Sequence, residues 1–258
     1  MTIWLCVTPE RREKTRRIME ALHAGGRGAT RIHEGAPPRG EPFVVWGHHW
    51  LAERIVPHAI RDKTPWWLID NGFHLPANGE ATGYYAITSG GMTPALLADC
   101  DKDRLLVPMA PWREPGAGHV LLALPGGWSG HMMGMDMAAW SRTIERRIRR
   151  QTDRPIVIRE KGCKRPLCHD LAGAHVLVTH SSKAAIAAVV AGVPVIVEPT
   201  SAAAPMGSTK LADIERPKRP GGREAWWASL MAQQFTLAEM RAGLVSRMMR
   251  KVATDGAG

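Results

Sequence analysis

The sequence predicts an α/β protein built as two units, each a parallel sheet flanked by helices. Short apolar runs rich in β-branched and aromatic residues alternate with segments of helical composition, the pattern of parallel strands joined by helical crossovers. A stretch rich in Pro and Gly over residues 108–118 separates a first such series from a second. With 258 residues and 45% hydrophobic content, the chain can bury two cores of ordinary size. The predicted division is an N-terminal unit over residues 1–111 and a C-terminal unit over 112–258, with a cleft between them.

In the first series, residues 3–7, 43–46 and 66–69 read as strands. Residues 10–22 have helical composition, and 25–40, with their glycines and Pro37-Pro38, read as a loop. In the second, strands are expected at 119–124, 155–159, 175–179 and 194–197, and helices at 136–151 and 182–191. The helix at 136–151 starts on an Asp and ends in arginines, which suits the helix dipole. Two closing helices, 223–233 and 237–251, flank Phe235-Thr236, whose threonine reads as an N-cap.

Thirty-four Lys and Arg against 24 Asp and Glu leave a formal charge of +10, which favours an anionic partner: nucleic acid, nucleotide phosphate or an acidic membrane surface. The basic residues gather at 11–17, 142–150, 159–165 and 216–223, and the first two clusters read equally as solvated helix faces. No apolar run approaches the ~20 residues needed to span a bilayer. MTIWLCV passes straight into RREKTRR without a cleavage site, so a cytoplasmic protein without integral membrane association is expected. Four sparse cysteines read as reduced thiols, and the C-x4-C-H spacing of Cys163, Cys168 and His169 is not a paired zinc knuckle, so no metal is expected.

Candidate chemistry lies in loops that follow strands, because ligands of open α/β sheets bind outside the carboxyl ends of the strands. Thr179-His180-Ser181-Ser182 ends one apolar strand and opens a helix of small residues, so hydroxyls and free N–H groups collect where an anion is stabilised. The alternative is that a serine only caps the helix. Arg159 and Lys161, within the basic turn 159–165, stand where cations can neutralise a diphosphate leaving group, or form a solvated turn. Gly126 and Gly127, in PGGWSG, give a loop whose backbone can approach a phosphate closely, although the motif is weak. In the first series, Asp70 before Asn71-Gly72 reads either as a general base near an acceptor hydroxyl or as an Asx turn. His48 and His49 are alternative bases. Asn71, Tyr84 and Tyr85 are candidate acceptor contacts, since aromatic rings can stack on a base or sugar.

The succession of strand, Thr-His-Ser-Ser, small-residue helix and Gly-Val-Pro-Val-Ile-Val resembles the donor-binding half of two-domain glycosyltransferases of the B type, whose domains are Rossmann-like. More closely, IDNGF (69–73), YYAITSGG (84–91), RPIVIREKG (154–162), AAAPM (202–206) and REAWWASLMAQQFTLAEMRAG (223–243) resemble a family of small phage-encoded glycosyltransferases. The resemblance covers little of residues 1–65. It implies a donor-binding C-terminal domain and an acceptor-side N-terminal one, a nucleotide-sugar donor of the UDP type, no bound cofactor, and a host-cytoplasmic location. It assigns Arg159 and Lys161 to the leaving group. Many such transferases carry a helix Glu for the donor ribose where this chain has Ala187; Glu198, after the next strand, could supply a carboxylate instead.

The expected function is therefore metal-independent transfer of a sugar from a nucleotide-sugar to a hydroxyl. Hydroxymethylpyrimidine in phage DNA is the favoured acceptor, which makes DNA a partner. The alternatives are transfer to a polysaccharide or lipopolysaccharide precursor, and a DNA- or nucleotide-binding protein without turnover.

Overall fold

A computed structural model describes residues 2–8, 12–47, 50–77, 81–91, 93–94, 96–97, 100–101, 103–104, 106–114, 116–126, 136–246 and 249. The chain divides into two compact units, Met1–Asp101 with Ser229–Gly258, and Lys102–Ala228.

The first unit carries β1 (Ile3–Val7), α1 (Arg12–Gly25), β2 (Thr30–Glu34), β3 (Phe43–Trp46), α2 (Trp50–Arg61), β4 (Trp66–Asn71) and β5 (Tyr85–Ser89). Its six-stranded sheet has the order β10-β5-β4-β3-β1-β2, where β10 (Gln234–Phe235) comes from the end of the chain. Strands β1 to β4 are parallel, whereas β5 and β10 each join antiparallel. Helix α1 forms because Thr15, Ile18, Met19 and Leu22 fall on one buried stripe. That stripe packs with Leu5, Val44, Trp67, Ile69 and Tyr85 in one core.

The elements β2, α2, β5 and β10 are absent from the sequence expectation. Residues 30–34 form an edge strand rather than loop, paired in register with β1. TRIHE has no apolar run to announce a strand, and its partner's ladder specifies it instead. Helix α2 buries positions 51, 52, 55, 56 and 59 on one face, and Pro57 inside it reads in the sequence as a breaker.

The second unit carries β6 (His119–Ala123), α3 (Met137–Arg149), β7 (Ile156–Arg159), α4 (Leu167–Ala172), β8 (Ala174–Val178), α5 (Ala184–Val190) and β9 (Val195–Ile196). The sheet is wholly parallel, in the order β7-β6-β8-β9. Val120, Leu122, Val176, Val178 and Ile196 face Ile144 and Ile148 of α3, while the alternate residues Leu121, Leu177 and Val195 are equally buried. Strands covered on both faces explain the continuous apolar runs of the sequence. Asp136, expected as the acidic first residue of this helix, caps α3 instead, its carboxylate accepting from the Ala138 and Ala139 amides at 2.9 and 3.0 Å. Gly192 follows α5 at φ +73°, and a Cβ there would lie 2.0 Å from the Pro111 carbonyl oxygen, so only glycine fits.

The division between units falls inside α6 (Arg223–Met231), so the terminal segment belongs with the first unit rather than with the second half of the chain. Three contacts hold it there. Strand β10 pairs with β5, the Ile87 amide donates to the Gln233 carbonyl at 2.9 Å, and α7 (Leu237–Arg241) lies against α1. Gly25 permits that approach, because a Cβ on it would stand 2.0 Å from the Met240 carbonyl oxygen. Thr236 caps α7 as the sequence predicts, in a full capping box with Glu239. Thr236→Ala should cost about 1 kcal/mol in urea unfolding, the usual worth of such a cap. Gly25→Ala should cost more, since backbone must move.

Candidate nucleotide-sugar site

Because β6 to β9 are parallel, the loops that follow them emerge at one edge of the sheet. In sheet order, that edge carries the turn after Arg159, then Leu124 to Gly126, then residues 179–183, then Glu198. Strand β6 is followed by β7 on one side, and the chain then crosses to β8 on the other. The strand order therefore reverses between β6 and β8, the place where open α/β sheets leave a crevice.

Thr179 secures that place. Its buried hydroxyl donates to the Ala123 carbonyl at 2.6 Å, tying the ends of β6 and β8 together. The side chain thus serves the architecture. His180, 8% exposed, follows. Its Nδ1 lies 3.2 Å from the Ser181 hydroxyl, and its ring meets Trp140 of α3 edge-on, with centroids 5.9 Å apart. Burial pushes the imidazole below its ordinary value of 6.5, and the charge of Glu198 opposes that shift. The Glu198 amide donates to the His180 carbonyl at 3.0 Å, which fixes the two residues side by side.

The Ser182 hydroxyl accepts from the Ala184 amide at 3.3 Å, just where α5 opens. The two serines are thus used differently: the Ser182 hydroxyl bonds the backbone that opens α5, whereas Ser181 faces His180.

The basic turn divides as well. Arg159 donates to the Asp170 carboxylate at 2.5 Å and to the Arg165 carbonyl at 2.9 Å, and Arg165 reaches the other Asp170 oxygen at 2.5 Å. Asp170 is 4% exposed. A buried carboxylate held by two guanidiniums is a fixed structural unit, so the Arg159 charge is already matched. Lys161 is placed differently: its side chain crosses Gly126, where a Cβ would fall 2.6 Å from its Cδ and 3.0 Å from its Nζ. The ammonium therefore lies on the glycine loop after β6, and Gly126 is there to admit it.

The remaining sequence candidates lie in the first unit or outside the described residues. Asp70 and Asn71 both belong to β4, paired with Ala86 and Tyr85, and the strand runs past the expected turn. Gly72 continues the pairing, its amide donating to the Tyr84 carbonyl at 2.8 Å. Tyr84 is partly exposed, but Tyr85 is wholly buried in the core, so its ring offers no acceptor surface. His48, His49 and Gly127 lie outside the described residues.

Sequence reasoning missed Asp170 and Trp140. Asp170 was legible only as an acid in a helix bracketed by Pro166 and Gly173, and its partner lies eleven residues away on β7. Trp140 carries no signal beyond its place in the first turns of α3.

Two outcomes follow. Asp170→Asn should cost about 3 kcal/mol in urea unfolding, because two cations lose a buried counter-charge. Burial in the folded chain also favours neutral His180, while the unfolded chain titrates near 6.5. Stability from this group is complete above pH 6.5 and falls as pH drops through the lower folded value. The melting temperature should decline on acidification below pH 6.5, and His180→Gln should flatten that decline.

The chain shares its fold with two sugar transferases of known structure. One is the β-Kdo 2,4 transferase of Thermosulfurimonas dismutans KpsC, with a TM-score of 0.52 at 14% identity over 89% of each chain. The other is its β-Kdo 2,7 transferase, with a TM-score of 0.55 at 11% identity over 96% of this chain and 100% of that one. No protein-family model matches the sequence, and no curated protein matches it. At these identities the likeness establishes a mixed α/β fold of glycosyltransferase kind.

Proposed function

We propose that the protein is a glycosyltransferase of the two-domain B type that moves a sugar from a nucleotide-sugar to a hydroxyl acceptor. The donor belongs to the second unit. The observation that carries this reading is the reversal of strand order between β6 and β8, flanked by Gly126 with Lys161 on one side and His180-Ser181 on the other. A diphosphate there meets a cation, a hydroxyl and an imidazole kept neutral by burial. Loss of the leaving diphosphate needs charge neutralisation, and Lys161 supplies it without a metal. Arg159 supports that turn through Asp170 rather than contacting the donor.

In direct displacement, the acceptor hydroxyl attacks the anomeric carbon, its proton passes to a carboxylate, and the bond to the diphosphate breaks. Asp70, near the carboxyl end of β4, is the base in this reading, with Asn71 and Tyr84 beside the acceptor. Glu198 takes the ribose, in place of the carboxylate that Ala187 lacks, and uridine diphosphate is the donor's nucleotide.

The net charge of +10 supports hydroxymethylpyrimidine in DNA as the acceptor. A saccharide hydroxyl is the second reading, supported by the fold shared with the two Kdo transferases. Among the described residues, no helix is long and apolar enough to cross a membrane.

Labelled nucleotide-sugars, activated Kdo among them, should be offered with hydroxymethylated DNA, ordinary DNA and a Kdo-terminated oligosaccharide. Label is expected on the hydroxymethylated DNA alone; label on the oligosaccharide alone selects the second acceptor. Lys161→Ala should lower kcat about 100-fold while the protein stays folded. Absence of both transfer and uridine diphosphate binding would overturn the proposal.

A further inference from the structure

The turn that carries Lys161 is tied down at both ends. At its start, the Leu124 amide, just past β6, donates to the Arg159 carbonyl at 2.9 Å. At its close, the Arg159 guanidinium spans two acceptors, with one nitrogen on the Asp170 carboxylate at 2.5 Å and the other on the Arg165 carbonyl at 2.9 Å. Arg165 then reaches the second Asp170 oxygen at 2.5 Å. Between these ends Gly162 turns the chain at φ +90°, a conformation that favours glycine, and the Cys163 amide donates to the Glu160 carbonyl at 3.3 Å.

The anchor of this arrangement is α4. A helix of six residues is not stable by itself, and its last turn is clamped from outside. Arg113 donates to the Leu171 and Ala172 carbonyls, and Nε2 of His119 lies 3.0 Å from the Asp170 carbonyl oxygen. Asp170 therefore stands at a fixed point, its side chain 3% exposed. One guanidinium would match its charge; the second, from the half-exposed Arg165, fixes the far end of the turn to the same point.

We infer that Arg165 and Asp170 are positioning residues for Lys161: with Arg159 they hold its ammonium over the glycine that follows β6, where the diphosphate of a donor departs. A lysine on a loose turn is a mobile point charge on a flexible stem. Here the stapled turn and the passage of the side chain across Gly126 remove that freedom. A cation stabilises charge that develops in a transition state best when its place is fixed in advance, because nothing then has to reorganise. The role in transfer rests on the donor reading above, whereas the placement of the ammonium stands apart from it.

Two measurements on the full chain separate placement from use. Lysines dimethylated with carbon-13 give one NMR signal each, and that of Lys161, identified by its loss in K161R, should move towards the free-lysine position in R165Q, while that of the exposed Lys210 stays. In the transfer assay, R165Q should lower kcat about tenfold with the donor KM little changed, and R165K should recover most of it. Because Arg165 acts through Lys161, the double variant R165Q/K161A should be no slower than K161A alone. An unmoved Lys161 signal, a wild-type kcat in R165Q, or the same fold loss from R165Q in both backgrounds would overturn the inference. A moved signal in a protein that neither transfers sugar nor binds uridine diphosphate would sink the donor reading and leave the placement standing. Should R165Q lose its melting transition, R159K carries the same test, since one ammonium nitrogen cannot serve both the carboxylate and the carbonyl.

Discussion

The hydrogen bond from the Thr179 hydroxyl to the Ala123 carbonyl holds the candidate site together. Parallel pairing ends at β6 and β8, and beyond it the two strands would otherwise part freely. The threonine closes that gap from inside a buried position, where a 2.6 Å bond works in a low dielectric and an unmade one would be costly. Everything that can meet a ligand is aligned from there. His180 leaves the strand directly after the tie, Glu198 is held to its backbone, and Gly126 follows Ala123 closely enough to receive Lys161. A site built this way owes its precision to strands rather than loops.

Arginine does structural work throughout the second unit, which changes the meaning of the strong positive charge. Arg113 donates to the Leu171 and Ala172 carbonyls at the end of α4, and Arg223 donates to the Val189 carbonyl at the end of α5. Both positions satisfy last-turn carbonyls and oppose the negative end of a helix dipole. Arg223 also lies 4.3 Å from the centre of the Trp112 ring. Arg154 binds Glu215 and the Gly116 carbonyl, while Arg159 and Arg165 share Asp170. These charges are committed inside the fold. A formal charge of +10 therefore overstates the field that this unit presents to solvent.

Much of the second unit was legible because its strands are buried on both faces and write continuous apolar runs, punctuated by Gly and Pro. The cap at Thr236 was legible for a local reason too, since its partner lies three residues on. The polar edge strand β2 and the two-residue β10 were not, because each exists only through a partner strand elsewhere in the chain. The terminal segment joins the first unit through contacts with β5 and α1, which lie far back in the sequence and leave no mark on it locally.

The candidate site divides in the same way. By itself the sequence determined which residue types stand after which strands: Lys161, Gly126, His180, Ser181 and Glu198 were all placed by strand endings, a local property. Only the tertiary structure decided how each is used. Arg159 and Lys161 sit two residues apart with the same charge, yet one is held by a buried carboxylate on α4 and the other lies across a glycine after β6. Ser181 and Ser182 are chemically identical neighbours, one beside an imidazole and one bonded to the backbone that opens α5. Periodicity and turn chemistry act over a few residues and so are written in sequence. The pairing of a charge with its partner acts through space, and the fold alone assigns it.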